Sequence, residues 1–465
     1  MHRRCPNNGI LAFTRAVWPA LLEPDNAGCD FRTLPNPTDV PEPTALESII
    51  VKLFREEHFG GILFDTDSLR YTFVSGKPES PPDRVLPVRP LPSRTDILSA
   101  PIRVYFEITR RCNLTCSHCF VSSGPRSYSG IPTDLVLRIL DDLHEMNVFD
   151  LRFTGGEPTF RDDWFQILSR AKAFGFALSL NTNGVYPRGS TIIDQLLSLE
   201  LNQLTVSIDG LRDTHDRIRG HGSFDSSIES IDRLYRGGAP LRTNTVLTRD
   251  NVAEVPRLIS LLAPVVKEMN FFYMRPVGRA VNLPSQHLDF DQHFRSSQET
   301  IALRAAYPNV RIMHFEQSFT ERSILDEELP FADLAMAPPY GSTTLGLNSD
   351  GSMWPHGYTP YQASPVFRLG QYPDVNLNWV WHESPLLDAI REWLRRLMER
   401  CRTCSEYRSR CAGLNFEMEV ARTVGHIAAN PYCISDAPVP RFNPPISAAS
   451  TTKPLHDIRS VGPMY

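Results

Sequence analysis

Residues 102–109 read Ile-Arg-Val-Tyr-Phe-Glu-Ile-Thr, and after two arginines the chain continues Cys112-Asn113-Leu114-Thr115-Cys116-Ser117-His118-Cys119-Phe120. The first run, rich in β-branched and aromatic residues, predicts a strand. The second places three thiols within eight residues at that strand's exit. Thiolates are soft ligands that suit zinc or iron–sulfur clusters. Structural zinc takes four protein ligands, often from paired C-x-x-C knuckles. His118 offers a fourth, although it lies inside the loop, where its geometry is awkward. A [4Fe–4S] cube on three thiolates instead leaves one iron open to a small molecule, which serves chemistry rather than structure.

Downstream of this loop, short apolar or β-branched runs alternate with helical patterns. Strands are expected over 150–157, 177–184, 204–210, 241–247 and 268–274. Between the first two strands, Leu135, Ile139 and Leu143 recur every four residues behind Pro132-Thr133, a start that suits a helix cap. Further helices fit 162–174, 190–200, 225–236 and 254–267. Six strands with intervening helices predict an α/β fold with a parallel sheet and right-handed crossovers. A partial (β/α)6 TIM-like barrel satisfies this, as does a doubly wound sheet. Either puts the active site at the C-terminal strand ends.

The expected organisation is a small α+β N-terminal region over 1–76, a Pro-rich linker over 77–101 and a core over 102–285. A connecting segment follows over 286–340, then a second cysteine-bearing domain over 341–440 and a flexible tail over 441–465. In the N-terminal region, 45–57 reads as a helix and 61–74 as a hairpin turning at Asp65–Ser68. Residues 281–340 read as irregular.

C-x3-C-x2-C followed by the aromatic Phe120 resembles the signature of radical S-adenosylmethionine (SAM) enzymes. The resemblance implies that Cys112, Cys116 and Cys119 hold a [4Fe–4S] cluster whose open iron binds SAM. One electron then splits SAM into methionine and a 5′-deoxyadenosyl radical. Other motifs agree, each at a strand end. Gly155-Gly156-Glu157 resembles the family's GGE segment, with Glu157 able to pair with the SAM ammonium. Asn181 and Asn183 end the third strand and Ser207 and Asp209 the fourth, where relatives contact ribose and methionine. Arg219 is a candidate for the SAM carboxylate, and Val277-Gly278 for flanking the adenine.

Cys401-x2-Cys404-x6-Cys411 with Cys433 forms a second set of four thiols. Such a set suits zinc or a second iron–sulfur cluster. Its spacing resembles the SPASM extension of radical SAM enzymes, which implies an auxiliary [4Fe–4S] cluster. The full extension carries seven cysteines and two clusters. Here His356 and Asn415 stand where cysteines are expected, so the resemblance implies one auxiliary cluster. His356 is then a candidate substrate-site acid or base rather than a ligand. Cys5 and Cys29 are expected to be unligated.

The chain has 465 residues and a net charge of −5, which argues against a general nucleic-acid binder. No apolar run approaches the roughly 20 residues of a membrane helix, and no export signal is visible, so the chain reads as cytoplasmic. SPASM-bearing relatives often modify peptides or proteins by crosslinking, oxidation or epimerisation. The resemblance therefore implies a ribosomal-peptide maturase that binds a peptide substrate, with the N-terminal region a candidate leader-peptide site. It also implies a flavodoxin or ferredoxin reductant. The alternative is a radical SAM enzyme that dehydrogenates or rearranges a small biosynthetic intermediate.

Overall fold

The computed structural model describes residues 51–78, 80–86, 94–314, 339–359, 365–407, 416–425, 427, 430, 433 and 439–445. Cys5, Cys29, Cys411, Asn415 and residues 446–465 lie outside the described residues.

Three strands, β1 (Lys52–Glu57), β2 (Gly60–Asp65) and β3 (Arg70–Val74), and the short β4 (Arg84–Val85) form a sheet of order β3-β2-β1-β4. The expected hairpin is present, and Asp65 Oδ1 closes its turn by accepting from the Asp67 and Ser68 amides. The helix expected over 45–57 is not: Lys52–Glu57 pairs antiparallel with β2 and parallel with β4. Leu, Arg and Glu favour helix only weakly, and pairing on both edges overrides that preference. Arg55, buried in β1, donates to the carbonyls of Ala100, Pro101 and Asn147.

The larger sheet holds β5 (Arg103–Thr109), β6 (Asp150–Gly155), β7 (Ala177–Thr182), β8 (Gln203–Ser207), β9 (Leu241–Leu247), β10 (Glu268–Tyr273) and β11 (Arg311–His314). To these it adds β12 (Thr344–Leu347), β13 (Ser352–Trp354) and β14 (Gly370–Gln371). Its order is β11-β10-β9-β8-β7-β6-β5-β12-β13-β14, parallel from β11 through β12. The helices α1 (Thr133–Glu145), α2 (Trp164–Phe174), α3 (Ile192–Ser198), α4 (Arg212–Arg219), α5 (Ser223–Arg236) and α6 (Val255–Leu262) connect them. This is the α/β partial TIM-like barrel.

Two readings change. Residues 281–340 contain α7 (Phe290–Arg304), opened by a reciprocal Asp289–Gln292 capping box, and β11, which extends the sheet. The Asp-x-x-Gln spacing was the available signal. The Pro-rich stretch is also no free spacer at its end. Leu98 and Ala100 are buried, the Leu98 carbonyl accepts from Trp381, and Arg94 pairs with Asp388. Residues from 341 onward join the barrel through β12, then continue into α8 (Leu377–Glu383), α9 (Pro385–Arg402) and α10 (Phe416–Thr423).

The strand period separates two faces. Leu151, Phe153, Leu178, Leu180, Leu204 and Val206 are essentially inaccessible and form one core with Ile139, Leu143, Ile167 and Ile231. Burying each such side chain fully contributes about 1.5–3 kcal/mol. The register sets Tyr105 beside Arg152, Arg152 beside Ser179, and Arg242 beside both Thr205 and Glu268. These residues face the lumen, where Tyr105, Arg152, Arg242 and Glu268 are only partly buried. The small sheet lies under the N-terminal strand ends: Thr66 O accepts from Asn202, Leu69 O from Arg103, and Phe64 stacks on Phe149 at 5.1 Å. It therefore closes the end opposite the cysteine loop. Among the described residues no helix is long and apolar enough to cross a membrane.

Candidate active site at the C-terminal strand ends

The cysteine loop leaves β5 and is held by backbone from three other places. The Cys112 amide donates to Gly124 O at 3.1 Å, the Ser117 amide to Ile218 O at 2.8 Å, and the Glu157 amide to Arg111 O at 2.8 Å. The turn after β10 reaches it as well. Arg279 donates from its backbone to Cys119 O, from Nε to Cys116 O at 2.7 Å and from Nη1 to Ser123 O at 2.7 Å. Gly278, at φ +58°, lies so close that a Cβ would stand 2.4 Å from the carbonyls of Cys119 and Phe120. Val277-Gly278, read as an adenine flank, thus leads into a clamp on the loop.

Gly156 is constrained in the same way, since its Cβ would meet Arg111 O at 2.4 Å and Arg110 O at 2.6 Å. Backbone cannot swing aside as a side chain can. Gly156→Ala is therefore expected to cost about 1–3 kcal/mol through overpacking and to weaken cluster retention. Iron remaining after desalting, beside the thermal midpoint, measures both.

The polar candidates divide into two groups. Glu157 is 1% exposed and its carboxylate is occupied by protein donors. It accepts from the Asn183 amide at 2.7 Å, from Thr182 at 2.9 Å and from the Thr159 hydroxyl at 2.7 Å. It ties β6 to β7 and leaves little for a ligand ammonium. Asn183 turns toward the loop, donating to Asn113 Oδ1 at 2.8 Å and approaching Cys112 Sγ at 3.7 Å. Asp209 is fully buried and accepts from His118 Nε2 at 2.7 Å, Arg219 Nε at 2.5 Å and the Val246 amide at 2.8 Å. Burial pushes its pKa up, but Arg219 and His118 outweigh that and hold it well below the usual carboxylate range. Arg219 also approaches Cys116 Sγ at 3.9 Å. By contrast, Asn181 and Ser207 are partly exposed, and their side chains make no hydrogen bond among the described residues. They are the polar groups open to a ligand.

The donor set fits a [4Fe–4S] cube. Cys112 and Cys116 are buried, Cys119 is half-buried, and none is in a disulfide. Burial, then the Glu157 charge, then the neighbouring thiols push Cys112 up to about 12. Cluster iron must therefore displace these protons. His118 Nε2 contacts Asp209 at 2.7 Å, which leaves Nδ1 as its one remaining ligating nitrogen. Among the described residues no three histidine, cysteine or acidic side chains converge on a single-ion site.

In the second group, Cys401 and Cys404 lie at the end of α9, where the Cys404 amide donates to Cys401 O. Arg400 donates to Cys433 Sγ at 3.4 Å, and its pKa, lowered by burial, is raised overall by Cys433 and Cys401. His356 is buried among Tyr105, Tyr340 and Tyr358, at ring distances of 4.4, 4.6 and 5.0 Å. Burial first, then Arg275, Arg103 and Arg152, hold its pKa well below 6.5. These surroundings favour the neutral imidazole and make it a weaker base than a free histidine. Phe120 packs edge-on against Tyr358 at 5.5 Å, and the Arg275 guanidinium lies 4.1 Å from the Tyr358 ring. Arg275 and Arg279 are additions that no motif announced.

The model of the Radical SAM superfamily matches residues 106–262. The mycofactocin maturase MftC of Mycobacterium tuberculosis is 34% identical over 321 residues, covering 68% of this chain and 78% of that protein. The AdoMet-dependent heme synthase of Methanosarcina barkeri is 26% identical over 348 residues, covering 72% of this chain and 97% of that protein. Among solved structures, Streptococcus suis SuiB bound to precursor peptide SuiA matches with TM-score 0.63 at 16% identity, covering 79% of this chain and 95% of that one.

Proposed function

This chain belongs to the radical SAM superfamily, and from that premise we propose that it matures a peptide, with Cys112, Cys116 and Cys119 holding the SAM-binding [4Fe–4S] cluster. The observation that carries the reading is the 34% identity spanning 78% of a protein named a maturase. A related fold holding a precursor peptide in SuiB is in keeping with it. When bound, the cluster and SAM supply a 5′-deoxyadenosyl radical that takes a hydrogen atom from the substrate.

The chain's own residues do the rest. Arg279 and Gly278 fix the loop's shape through three carbonyls and a close backbone contact. Asp209 anchors His118 and Arg219, and so keeps a guanidinium beside Cys116. Asn181 and Ser207 bind polar atoms of SAM. Tyr105, His356, Phe120 and Tyr358 wall the mouth and exclude water, which protects a reactive intermediate. Cys401, Cys404, Cys411 and Cys433 hold one auxiliary [4Fe–4S] cluster. The sequence boundaries 1–76, 102–285 and 341–440 approximate the N-terminal, core and auxiliary units, with β4 carrying the first sheet past 76 and β11 and β12 carrying the core sheet past 285. A flavodoxin or ferredoxin supplies electrons, in a cytoplasm that keeps thiols reduced.

The test is anaerobic incubation of reconstituted protein with SAM, dithionite and a precursor peptide encoded beside its gene. Deoxyadenosine together with a peptide that has lost hydrogen, or gained solvent deuterium at an α-carbon, is the expected result. The 26% identity across 97% of a heme synthase favours one other reading, a tetrapyrrole or similar small substrate. Deoxyadenosine with an unchanged peptide and an altered porphyrin would select it.

A further inference from the structure

The cysteine loop buries its sulfurs but not its outer edge. Cys112 and Cys116 are 6% and 8% exposed, whereas Thr115 and Ser117, on either side of Cys116, are open to solvent. The exterior thus comes within one residue of a buried thiol. Three segments border this edge. Arg111 forms an isolated parallel bridge with Gly124, and the Cys112 amide donates to Gly124 O at 3.1 Å. A Cβ on Gly124 would stand 3.6 Å from the Thr115 methyl. Asn113 Nδ2 donates to Val185 O at 2.7 Å, and the Ser117 amide to Ile218 O at 2.8 Å.

The borders are cationic. Arg126 follows Gly124 by two residues and Arg188 follows Val185 by three. Both are exposed, and neither has a hydrogen bond or ion pair among the described residues. Arg111 lies 5.0 Å from the Phe160 ring and has no carboxylate partner among the described residues. Tyr128, at 51% exposure, adds an aromatic ring to the same segment. Residues 110–129 and 183–190 contain no Asp or Glu. The other charges on the bordering elements are mostly committed. Arg110 pairs with Glu107, Arg212 with Asp225, Arg217 with Asp250, Arg219 with Asp209, His221 with Asp216 and Arg161 with Asp163. Arg279 holds loop carbonyls, Arg275 lies over Tyr358 and Glu157 is buried. The exposed acids are Asp162, on the turn before α2, and Asp213, on α4. Asp213 stands roughly 7.5 Å along the helix axis from Ile218, where the loop is held.

We propose that this face docks the electron donor, a small acidic protein carrying a low-potential flavin or iron–sulfur cluster. This rests on the radical SAM chemistry proposed above and gives its reductant a place on the chain. Electron transfer weakens steeply with distance, so the donor's redox group must approach over the thiols. Thr115 and Ser117 are small side chains that leave that approach open. Tyr and Arg around them are the residues in which protein interfaces are enriched. The whole chain carries a net charge of −5, so an acidic partner is repelled in general and attracted locally, which orients its encounter. In the step itself one electron leaves the reduced donor and enters the oxidised cluster, and no bond forms or breaks.

Calorimetric titration of the reconstituted protein with a purified flavodoxin and, separately, a purified [4Fe–4S] ferredoxin tests this face. Stopped-flow bleaching of the cluster's visible absorbance by each reduced carrier accompanies it. Wild type should bind at least one carrier, with an affinity that falls as sodium chloride rises. The carrier that binds identifies the donor's class. Arg126→Glu/Arg188→Glu should weaken binding and slow bleaching about tenfold or more, the order of effect that electrostatic steering has. Arg126→Lys/Arg188→Lys keeps the charge and should stay near wild type, as should Arg170→Glu on α2, whose partner is Asp141. Iron content and thermal midpoint report folding. Should the charge reversal fail to hold iron, Arg126→Ser/Arg188→Ser takes its place. Wild type that binds neither carrier, or a well-folded charge-reversed variant with unaltered affinity and rate, would overturn the inference. Deoxyadenosine formed with dithionite while charge reversal changes nothing retires the docking face alone. Carrier binding that charge reversal weakens, with no deoxyadenosine from wild type under dithionite, retires the proposed activity alone.

Discussion

Alanine at Cys112, Cys116 and Cys119 together abolishes deoxyadenosine formation and removes about four irons per chain, the content of one cube. The effect is all-or-none because the three thiols share one loop and no nearby side chain replaces them. His118 is bound to Asp209, and Asn183 and Arg219 bring only nitrogen donors toward the sulfurs. Iron and sulfide analysis of anaerobically reconstituted wild type and variant reads this directly. About eight irons falling to about four would support a second cube on Cys401, Cys404, Cys411 and Cys433. About four falling to none would mean that those cysteines hold zinc or nothing, and the auxiliary-cluster proposal would fail while the SAM cluster stood.

What was legible in the sequence was local. The strand into Cys112, the glycine pair at the end of β6 and the four-residue apolar spacing of α1 each write their geometry within a dozen residues. What was not legible depends on convergence from afar. Arg279 clasps Cys116 across 163 positions of sequence, and nothing around Arg279 marks a guanidinium as a loop clamp. Glu157 is a candidate partner for the SAM ammonium because Gly155-Gly156-Glu157 resembles the family's GGE segment. Only the fold brings Thr182 and the Asn183 amide to occupy it. Strand β1 shows the opposite failure. Its composition is locally helical, and its two neighbouring strands decide otherwise. His356 was distinguished by an absent cysteine, yet its aromatic surroundings come from β5 and from Tyr340.

Asp209→Asn is expected to be the most damaging single change outside the cysteines, destabilising the apo-protein by about 3–5 kcal/mol, as when one partner of a buried ion pair is removed. The amide keeps the shape and can still accept from the Val246 amide. It cannot offset the Arg219 charge, and its NH2 group finds an acceptor only when His118 carries its ring proton on Nδ1. Adding Arg219→Ala should recover a large part of the loss, because the two residues are directly coupled and their effects do not add. Urea unfolding of the two single variants and the double variant gives that coupling. An additive pair would show that Asp209 does not stabilise the fold through Arg219. The pH dependence has a fixed sign. Because the folded pKa is depressed, the carboxylate's contribution is fully present above the unfolded value of about 3.9 and fades as pH falls toward the folded value. Wild-type stability should therefore fall below about pH 4 more steeply than that of Asp209→Asn/Arg219→Ala. The same substitution should also slow deoxyadenosine formation, since Arg219 loses the anchor that keeps it beside Cys116. A variant that unfolds early yet turns over normally once folded would separate the stabilising role of Asp209 from its role at the cluster.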